Sequence, residues 1–328
     1  MKFSSMLRCL AAGLFCAGSA ASAAVPAGTL NGTPEQAMVA LAVQLSSYAQ
    51  ERQPDFQIVG NGALGLLEVT DTEPQEAVSK LVDALDGFMA ESVFFTGNGK
   101  DVAGQDSKVL QYIEAMLRKP RAAGKAVWTL DYVKEQKLQR KAEKLGRQRG
   151  YISMAVAGKN LDEIPEGTIP EKNEQDVNKA TEARNFLVLL NPGRFKDRAA
   201  YLEALTKTPY DVLILDLYYG SEPLTREEVR GLCSKPQGGR RLVLAYLSVG
   251  EAAAYRSYWH QEWNEPEHRP SWIWQSNPHW PGAYRVRYWE KPWQQILYGS
   301  GQAYLDKILQ AGFDGVFLDV MDAWQTFR

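Results

Sequence analysis

Residues 312–324 read GFDGVFLDVMDAW, and this stretch decides the fold. Gly312 closes a helix-patterned segment over 302–311, because glycine adopts the left-handed conformation that ends helices. The chain then enters Val316, Phe317 and Leu318. Every residue of this run is apolar, whereas a strand with one wet face alternates; such a run suits a strand covered on both faces in a parallel sheet. The run ends on carboxylates, Asp319 and Asp322.

The same unit recurs outward from there. Apolar runs of strand length occupy 56–59, 84–88, 127–133, 151–156, 186–190, 212–217, 242–248, 285–289 and 315–320. Helix-patterned stretches separate many of them, such as 34–51, with apolar residues at Met38, Leu41, Ala42, Leu45 and Tyr48 and Thr33 as N-cap. Repeated strand–helix alternation makes βαβ units. About eight such units close as a (β/α)8 TIM barrel, a fold of the α/β class needing about 250 residues. Nine candidates compete for eight places, so either 151–156 or 285–289 is accessory. Residues 158–183 break the alternation with Pro165, Gly167, Pro170 and a dense polar run. They read as a surface loop joining two halves of one domain that spans 30–328.

Composition narrows the function. The 328 residues are 45% hydrophobic and 23% charged, with formal net charge −2, which is ordinary globular composition. With 37 basic against 39 acidic residues, there is no polycationic surface for nucleic acid. Residues 1–23 carry Lys2 and Arg8, then a short apolar run, then Ala21-Ser22-Ala23. This is the pattern of a cleaved secretory signal peptide, so a periplasmic or extracellular location is expected. Cleavage removes Cys9 and Cys16 and leaves Cys233 without an internal partner. No later segment has the length of apolar residues that stable membrane insertion requires.

Barrel active sites sit at the C-terminal ends of the strands. The polar residues there are Asn61, Glu91, Asp131, Asp216, Ser248, Glu251, Asp319 and Asp322. Several carboxylates converge, while the three histidines (His260, His268, His279) fall in one Trp/Pro-rich segment and lack metal-ligand spacing. Paired carboxylates without histidine suit glycoside hydrolysis. Seven of the nine tryptophans lie within 259–293, and some of them are expected to face sugar. No nucleophile elbow, phosphate loop or zinc motif is present, so neither cofactor nor metal is expected.

Four motifs in order, YDVLILDLYY (210–219), LVLAYLSVGEAAAYRSYW (242–259), YRVRYWEKPWQQIL (284–297) and GFDGVFLDVMDAW, resemble the endo-α-1,4-polygalactosaminidase-like family, glycoside hydrolase family 114 and its bacterial and archaeal relatives. FQIVGNGALGLL (56–67), LDGFMAESVFF (85–95) and VWTLDYV (127–133) resemble the same family but precede the GFDGVFLD motif instead of following it. The resemblance therefore implies a circularly permuted strand order. It implies Asp319 as nucleophile and Glu91 as acid/base, with Asn61, Asp216, Tyr246 and Asp322 lining the site. Ser248, Glu251, Arg256, Trp289 and Asp131 complete the expected substrate-binding set, Glu251 pairing with Arg256 or touching sugar hydroxyls. The expected function is an exported glycoside hydrolase acting on a polysaccharide of α-1,4-linked galactosamine or N-acetylgalactosamine. The alternative is a non-catalytic carbohydrate-binding or scaffold barrel in exopolysaccharide secretion.

Overall fold

The structure is a computed structural model describing residues 30–70, 74–96 and 103–328. The signal-peptide expectation over 1–23, with Cys9 and Cys16, lies outside the described residues. Eight parallel strands form one sheet: β1 (Gln57–Asn61), β2 (Gly87–Glu91), β3 (Ala126–Tyr132), β4 (Ile152–Val156), β5 (Leu187–Leu189), β6 (Val212–Leu215), β7 (Leu242–Ser248) and β8 (Gly315–Asp319). Their order is β4-β3-β2-β1-β8-β7-β6-β5, a nearly closed (β/α)8 barrel. Eight helices are described: α1 (Pro34–Gln50), α2 (Gln75–Ala84), α3 (Ser107–Ala122), α4 (Gln136–Gln148), α5 (Arg198–Thr206), α6 (Arg226–Leu232), α7 (Lys291–Leu297) and α8 (Tyr304–Ala311). Among the described residues no helix is long and apolar enough to cross a membrane.

Local chemistry explains the element ends. Thr33 caps α1 through a capping box with Gln36, Pro34 filling the first helical position. Gly312, at φ 79°, ends α8. Residues 151–156 supply the barrel strand β4. Residues 285–289 are the accessory candidate: Ala283–Val286 pairs antiparallel with Glu251–Ala253 and Ile273–Ser276 in a separate three-stranded sheet.

One aspartate just before each of three strands latches the sheet from below. Asp86 accepts the Ile58 N–H at 2.8 Å, Asp314 the Val243 N–H at 2.9 Å, and Asp211 the Arg184 N–H at 2.9 Å. Each ties its strand to the preceding neighbour in the ring, where the ladder has run out of backbone acceptors.

Among the described residues no ladder joins β4 to β5. The segment over 158–183 fills that seam. Its Leu161 carbonyl accepts the N–H groups of Leu190 (2.9 Å) and Asn191 (3.1 Å) above β5. Below β5 its Pro170 carbonyl accepts from the Asn185 amide at 3.0 Å. The chain then crosses the N-terminal end of the barrel, where Val177 and Ala180 are buried and the Ala180 N–H reaches Gln57 Oε1 at 2.9 Å. Asn173 donates to Asp211, whose carboxylate also meets Lys235 Nζ at 2.9 Å with both side chains fully buried. The segment is thus a strap, mostly half-buried along the seam and anchored beneath the barrel by Asn173, Val177 and Ala180.

Removing Lys235 leaves the Asp211 charge buried without its cation. Lys235→Ala is expected to cost about 3–5 kcal/mol, the usual loss when one partner of a buried ion pair is deleted. Urea unfolding followed by circular dichroism reads this directly; a loss below about 1 kcal/mol, the level of an exposed pair, contradicts it.

Candidate active site

The C-terminal end of the barrel opens into a cavity of about 560 Å³. At its floor, three neighbouring strands end on three polar residues: β1 on Asn61, β2 on Glu91 and β8 on Asp319. The Asn61 amide nitrogen lies 2.8 Å from Glu91 Oε1 and 2.8 Å from Asp319 Oδ1. An amide nitrogen carries two hydrogens, so it donates one to each carboxylate. The two oxygens are therefore no more than about 5.6 Å apart. A phenol stands beside each acid. Tyr246 on β7 donates to Asp319 Oδ2 at 2.9 Å, and the Tyr132 phenol, closing β3, favours the ionised form of Glu91.

The backbone turns abruptly after each of these residues. Gly62, Ser92 and Val320 follow Asn61, Glu91 and Asp319, with φ of 81°, 51° and 62°. At Gly62 a Cβ would sit 3.1 Å from the Asp322 nitrogen, so glycine is needed for space as well as for φ. For Ser92, and still more for β-branched Val320, this conformation is strained by about 1–3 kcal/mol. Bonds to neighbouring elements hold the turns. The Ser92 N–H reaches the Leu130 carbonyl (2.8 Å), the Met321 N–H reaches Asn61 O (3.2 Å), and Asp319 O accepts from Val249 (3.0 Å). Strain here lets three strands stop together and aim three side chains at one point.

Electrostatics separate the two central acids. Burial raises the Glu91 pKa, and the Asp319 charge raises it further; Asn61, Lys159 and Tyr132 act in the opposite direction. Burial and then the Asp319 charge hold the Tyr246 phenol well above its ordinary pKa, so it stays a donor. Asp322, on the turn after β8, is pushed up to about 7 by burial, against the pull of Arg285.

The other expected residues divide into wall and support. Asp216, Ser248, Glu251 and Arg256 line the cavity together with Asn61, Tyr246 and Asp322. The pairing expected between Glu251 and Arg256 is not made. Arg256 Nη1 lies 2.5 Å from Asp216 and 2.8 Å from the Tyr304 hydroxyl, whereas Glu251 meets Arg285 at 3.1 Å and the Asn277 amide at 2.6 Å. The accessory sheet brings Arg285 opposite Glu251 in register, which decides the choice. Two expected residues lie off the cavity wall. Asp131 is fully buried behind Glu91, where its Oδ1 accepts the N–H groups of Phe94 (2.8 Å) and Phe95 (2.9 Å). Trp289 packs edge-on against Phe327 (4.7 Å between centroids) and Tyr288 (5.0 Å).

The tryptophan cluster is mostly packing. Trp259, Trp263, Trp272 and Trp293 run in a chain with centroids 5.1–5.4 Å apart, and Trp272 and Trp293 are buried. Of the seven within 259–293, only Trp280 lines the cavity, 43% exposed. The wall also carries residues that the sequence reading passed over: Tyr132, Lys159, Asn277, His279 and Arg285. Alternation along β3 offered a signal for Tyr132. Adjacent strand residues face opposite sides, so Asp131 and Tyr132 cannot both point at the cavity.

Residues 171–328 match the model of glycoside-hydrolase family GH114. An uncharacterized protein of Deinococcus radiodurans is 38% identical over 125 residues, covering 38% of this chain and 37% of its own length. An uncharacterized protein of Methanocaldococcus jannaschii is 44% identical over 85 residues, 26% of this chain and 23% of its own. One of Thermotoga maritima is 37% identical over 82 residues, 25% and 24%. The chain thus spans well under half the length of these relatives. Asp216, Tyr246, Asp319 and Asp322 fall inside the family match, whereas Asn61, Glu91 and Tyr132 fall outside it.

Buried carboxyls with raised pKa values make stability fall as pH rises. Asp322 moves from an ordinary 3.8 to about 7 on folding, so between those values the native state binds more protons than the unfolded chain. Asp131, raised to about 7 chiefly by burial, adds to the same trend. The protein should unfold at lower urea at about pH 8 than at about pH 5, and Asp322→Asn, which cannot ionise, should shrink that difference. Urea midpoints across this range check it; a variant with an unchanged pH slope contradicts it.

Proposed function

We propose, from the premise that residues 171–328 belong to glycoside-hydrolase family GH114, that the protein is an exported glycoside hydrolase cleaving polymers of α-1,4-linked galactosamine or N-acetylgalactosamine. The observation that carries the reading is the shared Asn61 amide, which holds two carboxylates within about 5.6 Å of one another. Retaining glycosidases need carboxyls about 5–5.5 Å apart, and inverting enzymes about 6.5–9.5 Å to admit a water. The ceiling of about 5.6 Å on the two oxygens facing Asn61 is compatible with retention, which is the course taken here.

In this mechanism Asp319 attacks the anomeric carbon while protonated Glu91 gives its proton to the departing glycosidic oxygen. The result is a glycosyl ester on Asp319. Glu91, now a carboxylate, takes a proton from water as that water displaces Asp319, restoring both groups. The raised pKa of Glu91 suits a group that must carry a proton into the first step. Asn61 and Tyr246 hold Asp319 in its attacking orientation, and each carboxylate oxygen keeps a lone pair for reaction.

Export rests on the leader-like pattern of residues 1–23. The permuted strand order is part of the same proposal: β1 to β4 precede the family match, and the seam without a ladder lies between β4 and β5, where the halves join.

Steady-state kinetics on α-1,4-galactosamine polymers, with the product anomer followed by NMR, tests the proposal. Asp319→Asn should lose about three or more orders of magnitude in kcat with its fold intact, each tenfold being about 1.4 kcal/mol of barrier. Glu251→Gln should lose less, mainly through KM, because Glu251 is engaged by Arg285 and Asn277 at the wall. Near-normal turnover by Asp319→Asn, or inversion at the anomeric centre, sinks the assignment.

A further inference from the structure

The two ends of the cleft are built from different chemistry. On the β7–β8 side the wall carries Glu251 and Asp322. On the opposite side, across the central acids, lies the seam between β4 and β5, where the strap begins. Here the wall consists of Lys159, Leu161, Leu190 and Asn191.

Three of these residues, Leu161, Leu190 and Asn191, form one bonded unit. The Leu161 carbonyl accepts the Leu190 and Asn191 N–H groups at 2.9 and 3.1 Å. The Asn191 amide nitrogen donates to the Asn160 carbonyl, which leaves the Asn191 side-chain oxygen as an acceptor. Leu161 has φ of 49°, a strained conformation for a leucine, and its two carbonyl bonds hold it there. The strain keeps a half-buried leucine on the cavity wall, where an exposed loop would place a polar residue or glycine.

Lys159 stands apart from the other cations of the wall. Arg256 is paired with Asp216, and Arg285 with Glu251. Lys159 makes no ion pair or hydrogen bond among the described residues and rests 5.2 Å from the centre of the Tyr132 ring. Its charge acts on Glu91 through space, and an ammonium group with no bonded partner repels a protonated amino sugar but attracts a carbonyl oxygen.

We propose that this end of the cleft is an acetamide subsite, which takes the N-acetyl group of one sugar next to the scissile bond. Lys159 donates to the acetyl carbonyl, Asn191 accepts the amide N–H, and Leu161 and Leu190 cover the methyl. The inference rests on the glycosidase reading and adds a substrate class to it. The polymer is partly N-acetylated, and the acetylated residue has a fixed place relative to the cut.

The test uses galactosamine oligosaccharides that are fully N-acetylated, fully free-amine, or mixed in a known sequence. The enzyme should prefer oligomers with an acetylated residue at the seam-side position by about tenfold or more in kcat/KM. Mass spectrometry of the products from mixed oligomers should find the acetyl group at one constant position beside the new end. Leu161→Asn tolerates the left-handed backbone but loses the apolar cover. This variant and Lys159→Met should each cut the acetylated-to-free ratio about tenfold, with circular dichroism confirming the fold. Acetyl groups scattered at random around the cut, or a ratio unchanged in both variants, overturns the subsite. Saturation-transfer NMR on the acetyl methyl signal, with Asp319→Asn protein, separates the two readings. If nothing is cleaved, the glycosidase reading fails, and a methyl signal that Leu161→Asn abolishes still supports the subsite. No methyl signal from any oligomer overturns it.

Discussion

One amide group governs the site. Two carboxylates within about 5.6 Å repel each other, and burial strengthens the repulsion. Asn61 answers with two N–H donors from a single nitrogen, and the Tyr246 phenol supplies a further donor to Asp319. This arrangement needs β1 to lie between β2 and β8, and that order is what the sheet provides. It also needs the three strands to end level. Left-handed turns at Gly62, Ser92 and Val320 make the chain leave the barrel immediately after each functional residue. The strap, the aspartate latches and the accessory sheet all serve to keep that geometry fixed.

Much of this was legible in the sequence, for definite reasons. Strands buried on both faces announce themselves as near-continuous apolar runs, so the barrel strands could be located, β2 three residues too early because the apolar end of α2 runs into it, and the carboxylates at their ends followed. Asn61, Glu91 and Asp319 were named from position alone, and the structure joins them by hydrogen bonds. Less legible was whatever depends on which way a side chain points or on a backbone outlier. Asp131 and Tyr132 are adjacent, and the sequence drew attention to the carboxylate although the tyrosine faces the cavity. Nothing in Glu91-Ser92 or Asp319-Val320 signals a positive φ, since serine and valine disfavour it; only Gly62 carries such a mark.

The tryptophans mislead for a related reason. Large aromatic rings suit sugar faces and protein interiors equally well. The accessory sheet sits outside the barrel and must bury its own inner face, and Trp272 and Trp293 do that work together with Tyr258. Aromatic density therefore reported a second packing layer. The polar residues of the same region, Glu251, Asn277 and Arg285, are what this layer contributes to the cleft. In the segment 158–183, polar composition matched a largely exposed path, yet Asn173 bonds to the buried Asp211 beneath the barrel.

The ladder between β1 and β8 has a kinetic consequence. Asn61 and Asp319 are 258 residues apart in the chain, and their strands are direct neighbours. Contacts of such long sequence separation close late, because the entropy of a large loop is lost before the pairing compensates it. The strands β1 to β4 and β5 to β8 can each associate locally as half-rings beforehand. While they do, Glu91 and Asp319 sit on different half-rings, so folding meets their mutual repulsion only at the final docking, when Asn61 is there to offset it. An incompletely folded chain therefore holds its two acids apart and has no reactive pair.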